Sequence, residues 1–337
     1  MSDLPRTAGL LDSRPLATRP LADTGLQVSE IGFGAGPLGG FYGPVDAEAG
    51  AAAAGRAYEL GVRYFDVAPL YGHGRAELAL GHALRDLDRD TFVLSTKVGR
   101  YMEPAGAPGR APRKRSEGVP FNPVLDYSRD GTLRALEQSM LRLGASRIDL
   151  VYIHDVDAHS QGSDETAGTC FRDALAGALP ALHALKREGV IGAVGIGLNQ
   201  PHWALRWLAE ADLDAVMLAG RLTLLNREAE DGVLDECKRR GVAYIAAGAF
   251  NGGLLARGAA SGWRFNYRPA SDEVRAEYAK LVERARRFGV DVKAAAIQFP
   301  LRFAQVSSLV IGASSAQEVE ENLCLAAEPI PAEFWQD

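Results

Sequence analysis

The chain has 337 residues, 47% of them apolar, with 37 Lys and Arg against 43 Asp and Glu and a formal charge of −6. That balance is ordinary for a globular protein and lacks the net basic face of a nucleic-acid binder. Three scattered cysteines (Cys170, Cys237, Cys324) exclude a disulfide framework or a cysteine metal cluster and point to a reducing compartment.

Residues 1–15 have no apolar core of the kind a signal peptide needs and read as a flexible terminus. The most apolar stretch, 174–185, is far short of a bilayer span and reads as a buried helix. The expectation is a cytoplasmic protein with no membrane association. Residues 16–330 read as one domain. Short runs rich in Val, Ile, Phe or Tyr occur at 28–34, 62–67, 91–97, 148–154, 190–197, 215–219, 242–247 and 308–312. Each is apolar on both faces, as a strand in a covered parallel sheet must be. Helical patterns lie between them at 47–60, 76–86, 131–143, 171–188, 201–210, 228–240, 272–288 with 292–299, and 316–327. Gly61, Gly144, Gly189, Gly241 and Gly289 each stand where a helix ends in a left-handed turn. The segment 100–128, rich in Pro and Gly, reads as a long loop on the catalytic face. Its basic run 110–115 suits either a solvated surface or a lid over the substrate.

Eight strands alternating with helices predict a closed parallel (β/α)₈ TIM barrel of the α/β class. The alternative is an open doubly wound sheet, which predicts a Gly-x-Gly-x-x-Gly after the first strand. Gly32, Gly34 and Gly36 are followed by Gly39 and Gly40, which is the wrong spacing.

A barrel assembles its site at the C-terminal strand ends. Those ends carry Asp66, Lys97 and His154, and Tyr71 follows on the loop after Asp66. Tyrosine titrates near 10, too high for proton transfer at neutral pH, and a neighbouring ammonium favours the phenolate. Lys97 can supply that charge, Asp66 can hold Lys97, and His154 can donate a hydrogen bond to a substrate oxygen. Taken singly, each residue also suits a plain role as a cap, a packed aromatic, a structural ion pair or a core histidine. A metal-dependent hydrolase would need clustered ligands, and only His154, Asp155, Asp157 and His159 offer any.

The stretches FDVAPLYGHG, LSTKVGR and VYIHD resemble the three motifs of the aldo-keto reductases, and the resemblance runs over nearly the whole chain. VYIHDVD, VMLAGRLTLLNR and AAGAFNGGLL are similar to sugar and pyridoxal dehydrogenases of the D-threo-aldose 1-dehydrogenase (L-fucose dehydrogenase) type. The resemblance implies that Asp66, Tyr71, Lys97 and His154 are a catalytic tetrad with Tyr71 as proton donor or acceptor. It also implies a nicotinamide cofactor held without a Rossmann domain, and a small sugar or aldehyde as substrate. The reaction it implies is oxidation of an aldose resembling L-fucose, D-arabinose or L-galactose at C1 to the lactone. Oxidation of pyridoxal, general aldehyde reduction and a silent barrel subunit are the other members of that range.

The loop after the seventh strand, with Gly248, Ala249, Phe250, Asn251, Gly253 and Leu254, is rich in small residues that let backbone N–H groups approach a pyrophosphate. The helix after the eighth strand offers an N-terminal anion site. By resemblance, Asn199 meets the nicotinamide carboxamide, and Glu321 and Asn322 hold the adenine. The positions that carry basic residues in NADPH-using relatives fall on Gly312, Ser314 and Glu318. The segment 309–322 contains no Lys or Arg and three glutamates, which predicts NAD over NADP. Ala247 and Met217 stand where relatives place a stacking aromatic and a carboxamide-binding Gln.

Overall fold

Eight parallel strands close on themselves in the computed structural model, which describes residues 16–40, 43, 45–106, 119–266 and 268–336. In chain order they are β1 (Ile31–Gly34), β2 (Tyr64–Asp66), β3 (Val93–Val98), β4 (Ile148–His154), β5 (Ile191–Leu198), β6 (Ala215–Ala219), β7 (Ala243–Ala247) and β8 (Val306–Gly312). Each pairs with the next, and Leu309 of β8 pairs with Ile31 of β1. That last pairing decides for the barrel over the open sheet.

Period-two alternation explains why every strand is apolar on both sides. One row, including Tyr64, Val93, Tyr152, Met217 and Ile245, fills the barrel interior. The other, including Phe33, Phe65, Val151, Ile196 and Leu218, packs against the helices. The expected first strand 28–34 is in fact two pieces. Gln27–Ser29 pairs antiparallel with Thr18–Pro20, and Leu21 and Val28 plug the N-terminal end of the barrel interior.

The outer helices are α1 (Ala47–Glu59), α2 (Arg75–Leu84), α3 (Arg129–Leu143), α4 (Asp164–Ala176), α5 (Ala178–Arg187), α6 (Pro201–Glu210), α7 (Val233–Arg240), α8 (Asp272–Phe288), α9 (Val292–Leu301) and α10 (Ala316–Ala327). Asp46, Ser128, Ser163, Ser271, Asp291 and Ser315 cap first turns by accepting backbone N–H groups. The five predicted helix-ending glycines all have positive φ. No helix among the described residues is long and apolar enough to cross a membrane.

Three further expectations are corrected. The helix expected at 171–188 is two helices, α4 and α5, broken at Gly177. A Cβ there would come within 2.6 Å of the Tyr127 carbonyl, so the chain must turn against that backbone. The loop expected at 100–128 is partly regular: Arg100–Pro104 pairs antiparallel with Phe121–Leu125. Its prolines hide the strand pattern, because Pro104 and Pro123 interrupt the alternation. The basic run 110–115 and residues 1–15 lie outside the described residues. Finally, ordered packing continues past 330, since Phe334 is fully buried against Leu281 and Ala285 of α8.

Candidate active site

Asp66 ends β2, Lys97 stands one residue from the end of β3, and His154 ends β4. All three therefore sit at the C-terminal mouth of the barrel. Lys97 Nζ donates to Asp66 Oδ2 at 2.6 Å and to the Val67 carbonyl at 3.0 Å. The two side chains are 2% and 4% exposed, so neither charge can rely on water. Ser95 Oγ donates to the other Asp66 oxygen at 2.7 Å. Below it the hydroxyls of Tyr64 and Tyr152 lie 2.9 Å apart. Burial pushes both phenols up, with negative neighbours adding to the effect, so they stay protonated.

Tyr71 opens a short turn, Tyr71–Gly74, after β2. That turn lies backbone to backbone against another, Gly36–Gly39, which follows β1. A Cβ on Gly39 would come within 2.5 Å of Tyr71 C, and one on Gly72 within 2.5 Å of the Gly39 carbonyl. Only glycine permits this approach, and Gly72 also needs its positive φ of 61°. The contact brings the Tyr71 ring over the ion pair, with Lys97 Nζ 5.0 Å from the ring centroid. The Tyr71 and His154 rings lie 6.2 Å apart at an interplanar angle of 87°. All four predicted residues are thus gathered at one place. Gly197 of β5 faces them: a Cβ there would stand 3.6 Å from His154 Cδ2 and 3.7 Å from Lys97 Cε. The fifth strand leaves this space open.

The imidazole of His154 is pushed down to about 3 by burial, opposed by Asp155 and assisted by Lys97 and Arg100. At neutral pH it is uncharged, with one ring N–H to donate. Burial would push the Asp155 carboxyl up. His154 and Arg100 outweigh that and hold it below the usual carboxylate range.

Beyond β7, Gly248, Gly252 and Gly253 have positive φ, and Ala249, Asn251 and Leu254 are buried among the loops. Phe250 packs on the outer core, 5.9 Å from Lys293 Nζ at its ring centroid. At β8, Gly312 receives Pro37 of the first loop, where a Cβ would meet Cγ at 2.8 Å. Ser314 donates both its N–H and its hydroxyl to Glu318 Oε2. Ser315 caps α10 by accepting from the Glu318 N–H, while the Glu318 side chain reaches back past it to Ser314. Glu321 is paired with Lys293 at 2.8 Å. Asn322 is 5% exposed, and its Oδ1 has no hydrogen-bond partner among the described residues.

Asn199 sits just past β5, with Nδ2 donating to Ser160 Oγ at 3.2 Å, its N–H bonded to Asp157 and its carbonyl bonded to Arg221. Met217 lies in the barrel interior and Ala247 at its rim. Sequence reasoning missed Gly39, Gly72 and Gly197, whose role is the room they leave. It also missed Lys293, which reaches Glu321 from a different helix. Gly72 and Gly74 just after Tyr71 are visible in the sequence; the contact of Lys293 is not. The histidine and carboxylates after β4 do not form a metal site, for among the described residues no group of three or more His, Cys, Asp and Glu could hold an ion.

A family model described as the aldo/keto reductase family matches residues 30–337. A pyridoxal 4-dehydrogenase of Microbacterium luteolum is 39% identical, over 94% of this chain and 95% of its own. A D-threo-aldose 1-dehydrogenase of a Pseudomonas species is 36% identical, over 95% and 96%. Among solved structures, the holo form of an aldo-keto reductase from Bacillus halodurans superposes with a TM-score of 0.73 at 26% identity, covering 95% of this chain and 94% of that one.

The state of His154 generates a prediction. Its folded pKa lies below its unfolded value of about 6.5, so between those values the unfolded chain binds more protons. This contribution to stability is complete above about 6.5 and is lost as the pH falls towards about 3. The ring resonances of His154 should accordingly stay unmoved from pH 8 to pH 5 in an NMR titration, both pH values being on the order of the ordinary histidine range. A titration with a midpoint near 6.5 would contradict the buried, neutral assignment.

Proposed function

The chain belongs to the aldo/keto reductase family and is an oxidoreductase, and from that premise we propose that it oxidises an aldose at the anomeric carbon to a lactone with NAD. The convergence of Tyr71, Lys97 and His154 above a buried Asp66 carries this reading.

The residues present suit a dinucleotide. The buried, unpartnered Asn322 Oδ1 is an acceptor waiting for a donor, as an adenine amino group would provide. The loop after β7 turns tightly on Gly248, Gly252 and Gly253, all at positive φ, and a Cβ on Gly248 would meet Gly220 N at 2.9 Å. Gly248, Ala249, Gly253 and Leu254 would hold the pyrophosphate, and Asn322 with Glu321 the adenine. Asn199 would hold the carboxamide by releasing its contact with Ser160. When bound, the nicotinamide supplies the two-electron acceptor.

Tyr71 as phenolate takes the proton of the anomeric hydroxyl. The C1–H bond breaks with its electron pair leaving carbon, and the second C–O bond of the lactone carbonyl forms. Lys97, held by Asp66, favours the negative phenol oxygen. Neutral His154 donates its ring N–H to the same substrate oxygen and keeps the hydroxyl aimed at Tyr71. The hairpin Arg100–Pro104 with Phe121–Leu125 is the specificity element. It rests on the Tyr71 turn, where His73 Nδ1 lies 2.9 Å from the Phe121 carbonyl. The greater identity to the pyridoxal 4-dehydrogenase favours pyridoxal as the second substrate to test.

The choice of NAD is supported at the start of α10. A 2′-phosphate would bring up to two further negative charges to a helix end already occupied by the Glu318 carboxylate. Lys293 is the cation nearest Glu321, and that carboxylate already pairs with it. A 2′-hydroxyl, by contrast, can donate to Glu318.

Two measurements follow. Tyr71→Phe should slow turnover on L-fucose, D-arabinose or L-galactose by roughly 10²–10⁴-fold while NAD still binds. Near-normal turnover would remove Tyr71 from proton transfer. For the cofactor, kcat/KM on one sugar at fixed ionic strength should favour NAD over NADP. Glu318→Arg should move the ratio towards NADP by roughly 10–100-fold, the worth of one charge-assisted hydrogen bond. Equal use of both cofactors by the wild type would overturn this reading of the segment.

A further inference from the structure

The corner that follows His154 is held more tightly than packing requires. Asp155 adopts φ +60°, a left-handed conformation that non-glycine residues rarely take. Its N–H donates to the Gly197 carbonyl at 2.9 Å, and its carbonyl accepts from Gln161 Nε2 at 2.7 Å. The His154 carbonyl accepts from the Tyr127 hydroxyl at 2.6 Å. A strained residue persists where its surroundings over-determine it, and such residues gather at functional sites.

The conformation has a consequence for the side chain. It brings Asp155 Oδ1 to 3.4 Å from His154 Nε2, while Oδ2 accepts from Arg100 Nη1 at 2.9 Å. The His154 and Asp155 side chains are each 12% exposed and that of Arg100 15%, so water screens them little. A carboxylate can only accept hydrogen bonds, and a neutral imidazole carries its proton on one nitrogen or the other. At 3.4 Å Oδ1 is an ion-pair neighbour of Nε2 rather than its hydrogen-bond partner, so its negative field favours the tautomer with the proton on Nε2 and leaves that N–H free for another acceptor.

We propose that Asp155, anchored by Arg100, is a positioning residue that keeps the His154 proton on Nε2, where it can be offered to a substrate oxygen. The inference deepens the reading of His154 as the donor to that oxygen and rests on it. Arg100 opens the hairpin beside the mouth, so the same pair ties the specificity element to the imidazole. Asp155 accordingly acts through His154. The plain competing role is a clasp that fastens the hairpin to the barrel.

The test reads the tautomer itself. In full-length protein labelled with ¹⁵N-histidine, the His154 ring shifts should report the Nε2–H form. A wild-type ring protonated on Nδ1 overturns the proposal without any variant. Asp155→Asn keeps the size of the side chain and an acceptor for Arg100 but removes the charge. It should move the tautomer population towards Nδ1–H and lower kcat by roughly 10–100-fold, the size typical of a lost partner that orients a functional imidazole. The Kd for NAD should stay near wild type, while the Tm should fall, because Arg100 loses its counter-charge in a poorly hydrated place; the tautomer, not the Tm, separates the two roles. A folded Asp155→Asn protein with an unmoved tautomer identifies a clasp and overturns the proposal. The tautomer is read without turnover, so a wrong substrate and a wrong role for Asp155 give different results.

Discussion

A lysine and an aspartate are buried together at the centre of the barrel mouth, and the rest of the site is arranged around them. Separately, either charge would cost several kcal/mol to remove from water. At 2.6 Å, with Ser95 on the second carboxylate oxygen and the Val67 carbonyl on the ammonium, each charge has a second polar partner. The two residues come from adjacent strands, so the sheet fixes their separation before any side chain packs. What the barrel thereby provides is a positive charge held under one face of Tyr71, with its counter-charge turned away below.

Rigid backbone contacts deliver the other participants. The turn bearing Tyr71 is pressed on the first loop through Gly39 and Gly72, and the hairpin leaning on that turn carries Arg100 to Asp155. His154 stays neutral because burial outweighs the attraction of Asp155. Two ion pairs, Asp66–Lys97 and Arg100–Asp155, thus flank an uncharged imidazole. Opposite them, Gly197 keeps the fifth strand from filling the space. The cofactor side is built differently, from loops and one helix start. There the recognisable features are a tight glycine turn after β7, the orphaned Asn322 oxygen and the capped N-terminus of α10.

Much of this was legible in the sequence because barrel architecture makes local patterns carry global information. Strands apolar on both faces and helices ended by glycine give the alternation, and strand ends then name Asp66, Lys97 and His154. Tyr71 follows from the motif around Asp66. What escaped depends on contacts between distant segments. The Lys293–Glu321 pair joins two helices, and nothing local to 309–322 announces it. The hairpin at 100–125 was concealed by its prolines, and the break at Gly177 by a continuous apolar pattern across α4 and α5. Glu318 stands where NADPH-using relatives carry a basic residue, and the structure shows it accepting from Ser314 at the helix start, while in the proposed function it also accepts from a ribose hydroxyl. The two uses are compatible, since a carboxylate accepts several hydrogen bonds. Asp155 was weighed as a metal ligand, and its pairing with Arg100 depends on a left-handed backbone that sequence does not display.

The central claim is that the buried ammonium of Lys97 makes Tyr71 competent for proton transfer. The pH dependence of kcat for Lys97→Met tests it most directly, with the sugar that the wild type turns over best. Without the ammonium, the tyrosine should titrate nearer its ordinary value of about 10. Activity at neutral pH should then be nearly abolished, and what remains should rise with pH along a limb displaced upward from that of the wild type. A variant with lowered activity but an unchanged pH profile would contradict the account, because Lys97 would then be holding the site together without tuning Tyr71.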